Sequence, residues 1–275
     1  MILEPAATEI VYHISDEENR LKKHFNLYYA ILAEASGEVE HRGGVSRYFS
    51  GSPASFQNAM IGCPEEAHWD RCITEQLHYF NEAHIPFVWY LDEQSNPGFK
   101  KELLKRGFRD GGVFRGVTGT LDKPIPSPEV PVGCVLELVK DESSMNAFND
   151  LVCATFDIQG AAKKMYRQTM WDAAQQTMCH WVVKKEGKVV SALSTLIEGD
   201  MVSFWNGATL PEMRHQGLSS ALRRFALRDA VSRGCRRGAS YLMSEGLAFG
   251  ICSKLGYQTK WRLNVFLSPV QERPN

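Results

Sequence analysis

Hydrophobic and polar residues alternate with a period of two in some segments of this chain and recur with a helical period in others. After residue 133 the patterns predict, in order, a strand, two helices, three strands, a helix, a strand, a helix and a last strand. The three consecutive strands occupy residues 179–210, with glycine turns near residues 187 and 199. The predicted fold class is therefore α/β (α+β), with a mixed, mostly antiparallel sheet flanked by helices.

Residues 1–121 follow a similar plan of helices and strands. Helical patterns cover residues 19–35, 68–83 and 98–107, and strand patterns lie between and after them. The two parts also end alike, with "ELLKRGF" in the first and "CSKLGY" in the second, each after a helix, a strand and a helix. We interpret this as a degenerate internal repeat, the alternative being a chance similarity of two α/β segments.

A proline-rich segment separates the two parts. Four prolines fall between Leu121 and Gly133, which disfavours a helix or an interior strand there. We interpret the segment as a semi-rigid linker. The predicted division is a domain at residues 1–121, a linker at 122–132 and a domain at 133–275.

Composition narrows the class of protein. The 275 residues carry a formal net charge of −1, which provides no general attraction to nucleic acid or to anionic membranes. No run approaches the roughly 18 apolar residues of a membrane helix, and the N-terminal segment has acids and no long apolar core. We therefore expect no nucleic-acid or membrane partner, no signal peptide and a cytoplasmic location.

The residue types that bind metals do not form a ligand pattern. Seven cysteines lie at scattered positions without a CxxC pair, and the eight histidines include no HxxxH pattern. We expect reduced thiols and no metal site.

One loop-to-helix segment indicates an anion site. In "RHQGLSSAL" the spacing is Arg214-x-x-Gly217-x-Ser219, and apolar residues then recur at helical spacing, namely Leu218, Ala221, Leu222 and Phe225. Free N–H groups at a helix N-terminus, together with the helix dipole, favour a phosphate. Gly217 allows close approach of a ligand, and Ser219 and Ser220 offer hydroxyl groups. The alternative is a core helix whose serines are ordinary first-turn residues.

The longer string "ATLPEMRHQGLSSAL" resembles the acetyl-CoA-binding signature of the GCN5-related N-acetyltransferase (GNAT) family. In that family a proline follows a strand end, and an R/Q-x-x-G-x-G/A pattern opens the next helix. The resemblance covers roughly residues 132–269. It implies two tandem GNAT-like domains, the second with an intact signature and the first a degenerate copy, and acetyl-CoA as the co-substrate.

The resemblance also assigns cofactor contacts by position. The pyrophosphate of coenzyme A is expected against Arg214, His215, Gln216, Gly217, Leu218, Ser219 and Ser220. The pantetheine arm and the thioester are expected along Ala208, Thr209, Leu210 and Ser244. A backbone N–H near Thr209 or Leu210 is expected to polarise the thioester carbonyl. Ser219 departs from the family's usual glycine or alanine, but it is small enough for cofactor binding to survive.

The catalytic acid and base stay open at this point. Where family members often carry a tyrosine on the last helix, this chain has Cys252. Its thiol could donate a proton, act as a covalent nucleophile or simply pack in the core. Glu245 is a candidate site residue, the alternative being a helix N-terminal charge.

The acceptor is expected to be a primary amine of a small molecule or peptide, attacked directly in a ternary complex. Trp205 and Asn206 lie on the strand that forms one wall of the family's cleft. Tyr166, with Met170 and Trp171, lies on a helix where the family's acceptor-binding helices fall. Core packing is the alternative for these side chains.

Two further expectations concern charge. Aligning Pro64 with Pro211 places Asp70 at the position of Gly217, where it would repel a phosphate, so the first part should not bind coenzyme A. A basic region surrounds the predicted long helix and consists of Arg223, Arg224, Arg228, Arg233, Arg236 and Arg237. A solvated face is its expected role, the alternative being attraction to the 3'-phosphate of coenzyme A.

Three function hypotheses follow. The first is an acetyl-CoA-dependent N-acetyltransferase, and the second is a non-catalytic protein that binds or senses acyl-CoA on the same fold. The third is an aminoacyl transferase that uses charged tRNA, and the near-neutral composition argues against it. The expected oligomeric state is a monomer or a homodimer.

Overall fold

The structure is a computed structural model that describes residues 16–34, 38–174, 177–243 and 247–269. Its helices are α1 (Asp16–Glu34), α2 (Trp69–Glu82), α3 (Pro97–Lys105), α4 (Glu142–Thr155), α5 (Gly160–Ala174), α6 (Leu218–Ser232) and α7 (Leu247–Lys254). Its strands are β1 (Glu38–Arg42), β2 (Val45–Phe49), β3 (Ala59–Gly62), β4 (Val88–Asp92), β5 (Arg109–Thr120), β6 (Cys134–Leu138), β7 (Met178–Lys185), β8 (Lys188–Glu198), β9 (Met201–Thr209), β10 (Arg237–Met243) and β11 (Gln258–Leu267).

All of these strands form one sheet. Their spatial order is β1-β2-β3-β4-β11-β5-β10-β9-β8-β7-β6. Most neighbours are antiparallel, whereas β3 runs parallel to β4 and β9 runs parallel to β10. The predicted class, a mixed and mostly antiparallel sheet flanked by helices, is confirmed.

The last strand of each half lies within the sheet of the other half; we call residues up to 121 the N-half and residues from 133 the C-half. β5 lies between β11 and β10, and β11 lies between β4 and β5. In β11, Leu263 is opposite Asp92 of β4 on one side and Phe114 of β5 on the other. Each half therefore satisfies backbone hydrogen bonds of the other at the centre of the sheet.

Helices cover both faces of the sheet. α1, α4 and α5 pack on one face, where Met201 and Trp205 of β9 point. The intervening Val202 and Phe204 point to the opposite face and pack against α6. On that face α2 and α3 cover the N-half strands, and α7 covers a smaller cluster beside α6. The alternation of side chains along β9 thus separates two cores.

One strand is not predicted by the sequence patterns. β1 has a single apolar residue among five, Val39, and that side chain is exposed. The strand lies at the edge of the sheet, where charged side chains discourage pairing with another chain. The remaining elements follow the predicted order, with boundaries shifted by a few residues.

The proline-rich segment lies against α6. Arg228 Nη1 donates to the Ile125 carbonyl oxygen at 3.3 Å, and the side chains of Ile125 and Val130 pack beside the apolar residues of the helix. The division into domains at residues 121 and 133 stays a prediction.

Within the described ranges, no helix is both long and apolar enough to cross a membrane. The same part of the chain contains no cluster of three or more His, Cys, Asp or Glu side chains arranged to hold a metal ion.

Candidate active site

β9 and β10 run parallel but stay paired over only part of their length. Their ladder ends at the pair Phe204 and Ser240, although β9 continues to Thr209 and β10 to Met243. On its other edge β9 carries a bulge against β8, where Asn206 has a left-handed φ of 54°. The two strands therefore leave a fork in the sheet beyond Phe204.

The segment between β9 and α6 turns sharply and leaves the helix uncapped. His215 and Gly217 have φ angles of 63° and 79°, and Gly217 is the N-cap residue. No described side chain caps the helix, and the Ala221 N–H donates to the Gly217 carbonyl oxygen at 2.9 Å. Among the described residues, the backbone N–H groups of residues 216–220 have no acceptor. An exposed helix end of this kind favours an anion.

A cleft of about 670 Å³ opens where the fork meets this helix end. Its walls come from the end of β9, the loop, the start of α6, α7 and the last residue of α4. The described lining is Thr155, Gly207, Ala208, Thr209, Met213, Arg214, His215, Gly217, Leu218, Ser219, Ser220, Arg223, Ala248, Gly250, Ile251 and Lys254. Its charged side chains, Arg214, Arg223 and Lys254, are all basic, so these walls favour an anionic ligand.

Most of the predicted cofactor residues line this cleft, and two do not. The Leu210 N–H donates to the Val190 carbonyl oxygen of β8 at 3.0 Å. Gln216 Nε2 donates to the Glu212 carbonyl oxygen at 3.3 Å, so that side chain lies along the loop. The other members of the predicted set that the structure describes line the cleft together, namely Ala208, Thr209, Arg214, His215, Gly217, Leu218, Ser219 and Ser220. The contacts of these residues with a cofactor stay predictions.

The candidate acid is not brought to the cleft. Cys252 is 1% exposed and packs with Val117, Leu242 and Tyr257. Its thiol does not line the cleft, so a proton-donor or nucleophile role has no support in this structure and core packing describes the residue. The other candidate, Glu245, and the predicted cofactor contact Ser244 lie outside the described residues.

Three of the predicted acceptor residues, Trp205, Tyr166 and Met170, are buried in the core. The Trp205 ring is stacked between Tyr28 and Tyr241, with ring centroids 3.7 and 4.7 Å away. Tyr166 is 2% exposed, and Met170 is fully buried. None of these side chains lines the cleft, so direct contact with an acceptor has no support and core packing, the alternative, describes them.

The half-buried Asn206 belongs to a polar network that spans both halves. Its Oδ1 accepts from the Tyr28 hydroxyl at 3.0 Å, and its Nδ2 donates to Ser194 Oγ at 3.0 Å. Ser194 Oγ lies 2.8 Å from His180 Nδ1. Both ends of the Asn206 amide are therefore engaged, which leaves its predicted bond to an acceptor unsupported. Because Tyr28 belongs to α1, the N-half holds the bulge that shapes the fork.

His180 makes this network sensitive to pH. Burial lowers its pKa to about 4, although the Met170 carbonyl oxygen, 3.1 Å from Nε2, opposes the shift. The folded-state pKa lies below the unfolded-state value of about 6.5, so the unfolded chain binds more protons between these values. This contribution to stability is complete above pH 6.5 and is lost as the pH falls towards 4.

The substitution His180→Gln is expected to remove this contribution, because glutamine keeps a polar side chain that does not titrate. Between pH 7 and pH 5 the wild-type chain should lose about 2 kcal/mol more unfolding free energy than the variant. Urea unfolding of both proteins at the two pH values measures the difference. Equal losses would show that His180 is not held neutral by the fold.

Arg223 contradicts the expectation of a solvated face. Its side chain is 5% exposed and lines the cleft, whereas the neighbouring Arg228 is exposed. Nη1 donates to Ser240 Oγ at 2.9 Å, and the guanidinium carbon lies 5.0 Å from the centre of the Phe204 ring. The guanidinium thus lies at the vertex of the fork.

Sequence reasoning also missed lining residues that come from other elements. They are Thr155, Gly207, Met213, Ala248, Gly250, Ile251 and Lys254. The lining residues of α7 could have been expected from the order of the elements. α7 follows β10 in the chain, and β10 pairs with β9, whose end lines the cleft.

The corresponding helix start of the N-half is occupied by its own side chains. Asp70 forms an ion pair with Arg106. Trp69 packs against Gly98, and its Nε1 donates to the Pro64 carbonyl oxygen at 3.0 Å. A carboxylate and an indole ring at this helix start agree with a degenerate copy, and the lack of coenzyme A binding there stays a prediction.

A family model matches the part of the chain that supplies most of the cleft, without α7. Residues 145–245 match the acetyltransferase (GNAT) family. This range includes β9, the loop after it and α6. Among curated proteins, none matches the sequence significantly.

Solved structures share the fold over most of the chain. A GCN5-related N-acetyltransferase from Kribbella flavida is 15% identical, with a TM-score of 0.63 over 87% of this chain and 94% of that one. A GCN5-related N-acetyltransferase from Sphaerobacter thermophilus is 14% identical, with a TM-score of 0.62 over 84% and 78%. A tandem GNAT protein from the clavulanic acid biosynthesis pathway is 10% identical, with a TM-score of 0.58 over 92% and 97%. The chain therefore has a tandem GNAT fold, and its residues 145–245 match the model of the acetyltransferase (GNAT) family.

Proposed function

We propose that the protein is an acetyl-CoA-dependent N-acetyltransferase whose acceptor is a primary amine of a small molecule or peptide. The observation that carries the proposal is the uncapped N-terminus of α6, which opens onto a cleft whose described charged walls are all basic. Free N–H groups beside the left-handed Gly217 suit the pyrophosphate of coenzyme A.

The free edge of β9 suits the pantetheine arm and the thioester. The Leu210 N–H points at β8, so by strand alternation the N–H groups of Thr209 and Gly207 point the opposite way, into the fork. In this proposal the Thr209 N–H polarises the thioester carbonyl. Leu210, the other residue expected to do so, already donates to Val190.

The reaction in this proposal is direct attack within a ternary complex. The deprotonated amine attacks the thioester carbonyl carbon, the C–N bond forms and the C–S bond breaks. The nitrogen loses a proton as the amide forms, and the departing coenzyme A thiolate takes up a proton. Negative charge that develops on the carbonyl oxygen is stabilised by the Thr209 N–H, which needs no side chain.

A second candidate is a protein that binds or senses acyl-CoA without turning it over. Apart from His215, the described lining of the cleft holds no carboxylate, tyrosine, cysteine or histidine that could transfer a proton near neutral pH. This observation favours the second candidate, whereas the intact loop and fork support either one.

Thermal unfolding with and without acetyl-CoA tests both candidates. Acetyl-CoA at a hundred times its dissociation constant should add about 2.7 kcal/mol, a rise of roughly 5–10 °C in Tm for a chain of this size. Release of the coenzyme A thiol with a panel of primary amines then separates them. Thiol release supports the enzyme, and binding without release supports the sensor. No rise in Tm at millimolar acetyl-CoA would reject both.

A further inference from the structure

Arg223 is a buried cation without an anionic partner among the described residues. Its side chain is 5% exposed, and its Nε has no hydrogen-bond partner within the part of the chain that the structure describes. The contacts of the guanidinium are neutral: Nη1 donates to Ser240 Oγ, and the Phe204 ring lies beside it. The cleft reaches this side chain, so a ligand there can touch it.

Packing alone does not account for an arginine at this position. A buried charge without a counter-charge is destabilising, and a neutral apolar side chain of similar volume usually serves a core better. The neighbours of Arg223 on the same side of α6 are Ala226 and Leu227, which are both buried. A cation kept in this place points to a ligand that supplies the missing negative charge.

The position of Arg223 indicates which part of the ligand it meets. Phe204 and Ser240 form the last pair of the β9–β10 ladder, and Arg223 contacts both. With the pyrophosphate at the start of α6 and the thioester carbonyl at the Thr209 N–H, the acyl chain is the part of the ligand that continues along the free edge of β9 towards this vertex.

We propose that Arg223 binds a carboxylate at the end of the acyl group, so that the preferred donor is the coenzyme A thioester of a dicarboxylic acid. This inference rests on the proposed function, because it assumes that coenzyme A occupies the cleft. The planar guanidinium, with an unpaired Nε, is suited to the two oxygens of a carboxylate. A methyl group at the same place would leave the charge uncompensated.

The test compares donors of matched length by calorimetry on the full chain. Succinyl-CoA has a carboxylate where butyryl-CoA has a methyl group, and malonyl-CoA and propionyl-CoA differ in the same way. Free coenzyme A measures the affinity that the rest of the site contributes. In the wild type, at least one carboxylated donor should bind about 10–100-fold more tightly than its neutral partner. Arg223→Met should remove that preference, so that the two members of each pair bind equally, and should melt at the same or a higher temperature.

Two further variants distinguish specific binding of a carboxylate by Arg223 from a general attraction by positive charge. Arg224→Met removes an equal charge from the next residue, which does not line the cleft, and should leave the ratio between paired donors unchanged. Arg223→Lys keeps the charge without the planar fork and should keep part of the preference. Equal binding of both members of each pair by the wild type, or a preference that survives Arg223→Met, would overturn the proposal while acetyl-CoA binding stands. Failure of free coenzyme A and of every thioester to bind would overturn the proposed function as well.

Discussion

The substitution Gly217→Asp is expected to abolish the stabilisation of this protein by acetyl-CoA. Gly217 is the N-cap of α6, has a φ of 79° and lines the cleft. An aspartate carboxylate at an N-cap accepts hydrogen bonds from the same N–H groups that are proposed to bind the pyrophosphate. It also repels the pyrophosphate electrostatically, so the loss of affinity should exceed about 100-fold.

The Gly217→Asp protein should remain folded, which makes the loss interpretable. Apart from its own chain neighbours and the backbone of α6, no described atom lies within 4 Å of the place where a Cβ at residue 217 would stand, so no side chain described there has to move. The left-handed backbone costs about 1–2 kcal/mol with a side chain, and an aspartate N-cap offsets about 1 kcal/mol of that cost. The Tm without ligand should therefore change by only a few degrees, and the rise with millimolar acetyl-CoA should vanish.

Gly217→Asn is the matched control, because asparagine has nearly the same shape, tolerates the left-handed region and carries no charge. It should keep most of the rise in Tm that the wild type shows. If both variants lost the rise equally, backbone geometry rather than charge would decide binding. Wild-type affinity in the aspartate variant would place the pyrophosphate elsewhere.

The elements and the loop of the candidate site could be predicted because their signals are local. A strand or helix is recognised from residues two to four positions apart, and the loop motif lies between Arg214 and Ser220. The exchange of β5 and β11 could not be predicted in this way. It pairs Leu263 with both Asp92 and Phe114, and no periodicity connects residues so far apart.

The burial of Arg223 could have been predicted from residues close to it in sequence, had the apolar stripe of α6 been defined more broadly. Leu218, Ala221, Leu222 and Phe225 leave Arg223 outside the stripe. Ala226 and Leu227, three and four residues further on, are also buried and extend the stripe to include it. The bond from Tyr28 to Asn206 had no such signal, because it joins the two halves across the sheet.

The C-half expressed alone, as residues 133–275, is expected not to reach its native fold. In the complete chain both neighbours of β11 are N-half strands, β4 and β5, and β10 loses β5 as well. The isolated half would also lose Tyr28 and the rest of α1 from the face that covers Trp205 and Tyr241. We expect these losses to exceed the roughly 5–15 kcal/mol by which a folded protein is usually stable. Circular dichroism on heating should show no cooperative transition.

Mixing the halves should restore the fold, because the exchanged strands join them without a covalent link. A full-length chain with a protease site inserted after the exposed Lys123 should stay associated after cleavage and should melt cooperatively. Separately expressed residues 1–132 and 133–275 should form a one-to-one complex that regains the response to acetyl-CoA. A cooperative transition of residues 133–275 alone, at the Tm of the complete chain, would contradict the exchange. Because the fork between β9 and β10 is held by this exchange and by α1, loss of the N-half should abolish acetyl-CoA binding even though the loop motif is intact.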